Sequence, residues 1–397
     1  MGQYWKLIAP RLRACKPLSG YKLGEFYFDA SNYGPNGLVY LLATPIAQQK
    51  ASEDGEHRND EATEGSQTGQ QHTDSASMPS VTVRSSPRLM GLPTEVHRRI
   101  FDELKEDIDA TICLGATTRY FWSIAKEHLH VYCKARFGRW AGEPLVCVGD
   151  YAKRSDYPPG LFSDEELEIM RQKGCDVPGQ DDYVEYSNPI DDDADSVDGD
   201  GYDTPNKSWE FRLQSYVKPY LACKADMSGT SLQTHMIGNC YRNIGKADIS
   251  TSRIIDWDLW TMADMENFLP KSEAYILRNL TTKQFARAEA IALEPEYVHG
   301  PFIDGLGFGH VIRARICWSA DPSSSMHDVT NITRGLWAGH RFDIVTLGMH
   351  DEETRASLGD AWEDVSDEVA KEVRRIFEAD LGPEWRKDVE KQWKSDY

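Results

Sequence analysis

Leu89-Met-Gly-Leu-Pro-Thr-Glu-Val-His-Arg-Arg-Ile-Phe-Asp-Glu-Leu104 is the stretch on which the reading of this chain turns. Pro93 stands where a helix has its first turn, a place where its missing N–H has no intrahelical partner to lose. Glu95 lies near the positive end of that helix and Lys105 near the negative end. Leu92, Val96 and Ile100 are four apart, and Phe101 and Leu104 extend the stripe. The spacing therefore predicts a short amphipathic helix whose entry is set by a proline. On spacing alone, an ordinary core helix has the same pattern.

The residues that follow narrow the choice. Asp107 to Ala116 predicts a second short helix with Asp109 as its N-cap. Thr117 and Thr118 offer a cap for a third, running from Arg119 through Phe121, Ile124, Ala125, His128, Leu129 and Tyr132 and ending near Gly138. Leu-Pro-x-Glu-Val, Ile-Phe-x-x-Leu, Ile112-Cys-Leu114 and Arg119-Tyr-Phe121, in that order, resemble an F-box. The resemblance implies a three-helix module that docks on a Skp-type adaptor, itself held by a cullin in a ubiquitin ligase. It implies Leu92, Pro93, Val96, Ile100, Phe101, Leu104, Leu114 and Phe121 as the partner-binding residues, with no catalytic residue, metal or cofactor. Gly115 departs from the pattern, since a glycine inside a helix costs about 1 kcal/mol. The start Met1-Gly-Gln-Tyr-Trp-Lys6 together with the F-box-like stretch is also similar to a group of fungal proteins. That likeness extends into the C-terminal third and implies no activity.

The 397 residues are enough for two or three folded units. Residues 1–47 read as a β-rich segment, with strands at Tyr4–Ile8 and Leu23–Phe28 and a helix or strand at Leu38–Ala43. This segment is too small for its own core and is expected to pack on later parts of the chain. Residues 48–86 hold no Phe, Trp or Tyr and are dominated by Ser, Glu, Gln, Asp, Thr and Gly. Such a composition cannot offset an ordering cost of about 1–2 kcal/mol per residue, so a disordered linker is expected. The helical module spans 87–138. A strand at Pro144–Asp150 and a helix behind the capping box Ser163-Asp-Glu-Glu166 follow, within 139–175. Residues 176–207 read as an acidic disordered insert, and 208–397 as the larger part of an α+β domain. There the pattern predicts helices at Trp209–Tyr220 and from Asp364 to Leu381, and an aromatic run at Ile254–Trp260. It predicts strands at Glu273–Leu280, Phe285–Leu293, Gly309–Trp318 and His340–Leu347.

Net charge is −20, and ten Asp and Glu with no Lys or Arg lie between Asp181 and Asp203. A basic stripe for phosphate backbones is missing, so nucleic acid is not an expected partner. No apolar run approaches the roughly 18–20 residues of a membrane span. Gly2 would suit myristoylation, but Lys6 stands where that motif needs Ser or Thr. Eight cysteines without a Cys-x-x-Cys pair, behind no apolar leader, read as reduced thiols of the cytoplasm or nucleus. Asp191, Asp193 and Asp195 alternate as in a calcium loop, but Ser196 and Tyr202 occupy the positions that need Gly and Glu.

Two runs invite a catalytic reading. Gly305-Leu-Gly-Phe-Gly309 resembles a phosphate-cradling loop, yet the strand expected after it removes the helix N-terminus such a site needs. His299, His310, His327, His340 and His350 crowd the C-terminal third, and His340 with Asp343 would make a base and its orienter. None of these histidines has metal-ligand spacing. The expectation is a non-catalytic adaptor. The alternatives are an interaction protein whose F-box-like helices are only a core element, and an enzyme with its site near His340 and Asp343.

Overall fold

The computed structural model describes residues 3–12, 14–28, 36–46, 89–152, 156–172, 264–327, 329–357 and 361–395. The linker 48–86, the insert 176–207, the helix expected at 209–220 and the aromatic run 254–260 lie outside the described residues. The described residues form an α+β structure with eleven α-helices and three sheets.

The first sheet has the order β2-β1-β3-β8, built from Tyr4–Ala9 (β1), Ala14–Lys22 (β2), Val146–Gly149 (β3) and Cys317–Trp318 (β8). β1 runs antiparallel to both β2 and β3, and β3 runs parallel to β8. The N-terminal segment thus completes a sheet whose other strands come from the middle and end of the chain. Leu23–Tyr27 forms a helix (α1) rather than the strand expected there. Aromatic β-formers hide a helical period: Leu23, Gly24, Phe26 and Tyr27 are buried and Glu25 is exposed, a spacing that suits a helix. The Lys22 amide donates to Glu25 Oε2 at 3.0 Å, closing the first turn. Asn36–Leu42, left open between helix and strand, is a helix (α2) that passes Thr44 to the second sheet, where its amide donates to the Ile344 carbonyl at 2.9 Å.

The helical module is Thr94–Leu104 (α3), Ile108–Gly115 (α4) and Arg119–Lys134 (α5). Asp107, not Asp109, caps α4 by accepting from the Ala110 amide at 2.9 Å, and Thr118 caps α5 by accepting from Phe121 at 3.1 Å. Ser163 and Glu166 form the expected reciprocal cap of Asp164–Gln172 (α6), at 2.7 and 3.3 Å.

The second sheet has the order β10-β5-β4-β9, from Tyr275–Asn279 (β4), Gln284–Arg287 (β5), Phe342–Thr346 (β9) and Glu363–Asp364 (β10). The strand expected at Phe285–Leu293 stops at Arg287, where Ala288–Ile291 turns into a helix (α7) with Ala288 and Ile291 buried. Val298–His299 (β6) and Phe302–Ile303 (β7) form a small hairpin. The strand expected at Gly309–Trp318 is a helix, Phe308–Ile316 (α8), followed by the two residues of β8. Every residue of α8 is buried, so no polar face marks its period, and Val311, Ile312 and Ile316 supply β-branched bias. Its two arginines are buried with partners. Arg313 Nη1 donates to the Phe26 carbonyl at 3.0 Å, and Arg315 reaches Glu368 and Glu372, each at 2.6 Å. Leu347–Ala356 (α9) leads on to Ser366–Leu381 (α10), which buries Val369, Val373, Ile376 and Phe377 and ends at Gly382 with φ +81°. Trp385–Ser395 (α11) closes the described chain.

One continuous apolar core runs from Trp5 and Tyr27 through Phe101, Phe121 and Leu129 to Leu277, Ile344 and Phe377. Residues of the N-terminal segment, the helical module and the C-terminal region therefore share it.

Candidate docking surface

The helical module is assembled around α5. The His97 ring meets Phe121 edge-on at 4.9 Å, Phe101 and Phe121 lie 6.1 Å apart, and Phe101 stacks on His128 at 5.7 Å. The inward line of α3 is therefore His97 and Phe101, one turn apart. Leu92, Val96 and Ile100 point elsewhere: Val96 is 39% exposed, Leu92 and Ile100 are half-buried, and Pro93 is exposed. Pro93 precedes the first turn rather than lying in it. Its carbonyl accepts from the Val96 and His97 amides at 3.0 and 3.2 Å. A turn of 3-10 helix at Leu89–Gly91 comes just before it, with Leu89 40% and Met90 52% exposed.

Of the eight residues implied as partner-facing, Pro93 and Val96 are exposed, and Leu92, Ile100, Leu104 and Leu114 are half-buried. Phe101 and Phe121 are fully buried inside the module. That corrects their role: a large ring on the inward line of α3 or α5 fills the space between helices, and these two hold the module together. Leu89 and Met90, which the spacing argument passed over, belong to the exposed edge. Their signal was available as two large apolar residues directly before the Leu-Pro pair.

Gly115, the apparent defect of the pattern, is required by packing. A Cβ there would lie 2.5 Å from the Ala125 Cβ and 3.0 Å from the Trp122 ring, so α4 and α5 meet only because the glycine has no side chain. Thr111 Oγ1 donates to the Leu104 carbonyl at 3.1 Å and ties α4 back to the end of α3. Arg98 and Glu127 pair at 3.0 Å across the exposed side of α3 and α5. At that exposure the pair contributes at most about 1 kcal/mol.

The module joins the rest of the chain at the far end of α5. His130 and Phe137 both lie against Phe268, at 4.9 and 5.4 Å, and the Gly138 and Trp140 amides donate to the Tyr40 and Leu41 carbonyls at 2.9 Å each. Tyr120, beside the exposed edge, is about 15 Å along the α5 axis from His130 at this junction. Away from this junction, Leu89, Met90, Pro93 and Val96 stay exposed. Burial raises the Cys113 thiol and pushes Cys133 up to about 12, which disfavours the thiolate form at both.

The catalytic alternative fares differently. His340 Nδ1 lies 2.9 Å from Asn279 Nδ2, and burial lowers the His340 pKa. Asp343 is held by Arg278 through two bonds, at 2.8 and 2.6 Å, and Arg278 also reaches Glu353 at 2.6 Å. The two residues answer to separate partners across the β4–β9 pair and are not brought into one relay. The glycine run does lead into a helix, α8, against the strand expected after it. Yet the Gly307 amide donates to His310 Nδ1 at 3.1 Å and the start of the helix is buried, which leaves no open cradle for a phosphate. His299 pairs with Asp304 at 2.8 Å, while His350 sits between Phe285 and Trp362. Among the described residues no group of three or more His, Cys, Asp or Glu is placed to hold a metal ion. Among them, too, no helix is long and apolar enough to cross a membrane. Compared with family models, with curated proteins and with solved structures, the chain matches none.

Proposed function

We propose that this chain recruits a protein target to a Skp–cullin–F-box ubiquitin ligase, gripping a Skp-type adaptor with the helices at 89–135 and contributing no catalytic residue of its own. The α+β body would then present the target. The observation that carries the reading is the rotation of α3. Val96 on the helix and Pro93 just before it are exposed, Leu92 and Ile100 are only half-buried, and His97 and Phe101 are the residues α3 turns to the module's interior. A helix that leaves such side chains at the surface, behind an exposed proline, offers the kind of apolar anchor that helix-in-groove docking uses.

The test is co-purification of a Skp-type adaptor and a cullin from a fungal extract with the full-length chain. Leu92→Ala with Pro93→Ala trims one half-buried and one exposed side chain at the edge and leaves His97 and Phe101 in place, so the double variant is expected to stay folded and to lose the adaptor. Undiminished capture by the folded variant would sink the reading. Capture of the adaptor without any cullin would point instead to an interaction protein outside a ligase.

A further inference from the structure

His97 is 3% exposed, in a position of α3 that an aliphatic side chain would fill without needing polar partners. Both of its ring nitrogens are engaged. Nε2 lies 2.8 Å from the Leu89 carbonyl oxygen, and Nδ1 lies 3.0 Å from Tyr120 Oη, which is itself 3.2 Å from Thr94 Oγ1. A carbonyl only accepts, so Nε2 carries the hydrogen and the Nδ1 side faces the tyrosine hydroxyl. The ring thus clasps two elements. One is the packed base of α3 and α5. The other is the turn Leu89–Gly91, none of whose residues is buried. That turn is otherwise closed by the Leu92 amide donating to the same Leu89 carbonyl at 3.2 Å.

We infer that His97 is a positioning residue for the docking surface. Its bond to the Leu89 carbonyl holds the turn against the start of α3. Leu89 and Met90 thereby continue the apolar edge of Leu92, Pro93 and Val96 and meet the Skp-type adaptor with it. This rests on the docking reading above. The turn is too exposed to be ordered by burial, and a clasp that orders it before the partner arrives lowers the entropy lost on binding.

The two amide side chains separate the bonds. In His97→Gln the amide nitrogen reaches about where Nε2 lies and can still donate to Leu89. In His97→Asn it stops near the Nδ1 position and the Leu89 bond is lost. The experiment titrates the full-length chain with a purified fungal Skp-type adaptor and follows amide hydrogen exchange in the free chain. His97→Asn is expected to bind about tenfold more weakly and His97→Gln within about threefold of the unaltered chain, the size of one lost hydrogen bond. The Leu92 amide should exchange faster in the Asn variant than in the Gln variant, with α5 amides unchanged. A mere space-filling role would not separate Gln from Asn in this order. Met90→Asp changes only an exposed side chain, so it folds whatever His97 does, and it too is expected to bind about tenfold more weakly. Equal binding by the Gln and Asn variants, or full binding by Met90→Asp, overturns the clasp while leaving the docking reading in place. No binding by the unaltered chain overturns both.

Discussion

Arg278 has lost nearly all contact with water, and the carboxylate of Asp343, held by two bonds at 2.8 and 2.6 Å, offsets the burial of its charge. Removing one member of such a pair leaves the other as an unpaired buried charge. Arg278→Ala is therefore expected to destabilise the chain by about 3–5 kcal/mol. Glu353, the third member, is more than half exposed, and Glu353→Gln should cost less than about 1 kcal/mol. Denaturant midpoints of the two variants check the ratio. His310 makes a pH prediction. Burial, with the Arg313 charge second, lowers its pKa from 6.5 to about 3. Between those values the unfolded chain takes up a proton that the folded chain refuses, so this stability is present above pH 6.5 and is lost as pH falls toward 3. From pH 7 to 5 the His310 contribution falls by about 2 kcal/mol. The difference in urea midpoint between the unaltered chain and His310→Asn, measured at both pH values, isolates it from the carboxylates. Neither environment was legible in the sequence. His340 and Asp343 invite a catalytic pairing because they are close along the chain, but each, the one just before β9 and the other within it, is claimed by a residue of β4 some sixty positions away.

At the scale of elements, what the sequence revealed depended on whether one face of the element meets water. The helices α3, α5 and α10 keep a polar face and are readable as helices, but the entry of α3 and its inward face, His97 and Phe101, are not. Thr118 and the Ser163–Glu166 box lie where the cap chemistry placed them. α8 reads as a strand in the sequence because burial on all sides erases the period, and α1 does so because five residues with two aromatics are too few to show one. Gly115 shows the same limit from the other side. It reads as a cost within α4, yet the cost is local and the gain is the contact with Ala125 and Trp122 on α5. Gly115→Ala should gain about 1 kcal/mol of helix propensity and still destabilise by a net ~1–3 kcal/mol, because the new methyl has no room. Ala125→Gly in the same chain vacates that space and is expected to recover part of the loss. Urea unfolding of the two single variants and the double variant measures the coupling.

Across the whole molecule, the three-helix module and the α+β body are joined by packed aromatic rings and backbone hydrogen bonds rather than by a bare tether. Phe268, from the stretch before β4, is buried between His130 on α5 and Phe137 just beyond it, and the Ile46 amide donates to its carbonyl at 3.0 Å. The N-terminal segment, the module and the C-terminal region thus meet at one residue, the module through the ring and the N-terminal segment through the backbone carbonyl. If the proposed adaptor role holds, such a joint would fix the geometry that a flexible tether would leave loose. It also couples the parts in stability. Phe268→Ala is expected to cost about 3–5 kcal/mol, the usual size for emptying a buried phenyl site. The loss should not stay in the body. Amides in the second half of α5, from His128 to Lys134, should lose exchange protection together with those of β4, while the amides of α4 and of the Leu89–Gly91 turn change less. Protection lost in β4 alone would mean that the module stands on its own core. Matched loss in α5 and β4 would make the docking edge and the body two ends of one rigid piece.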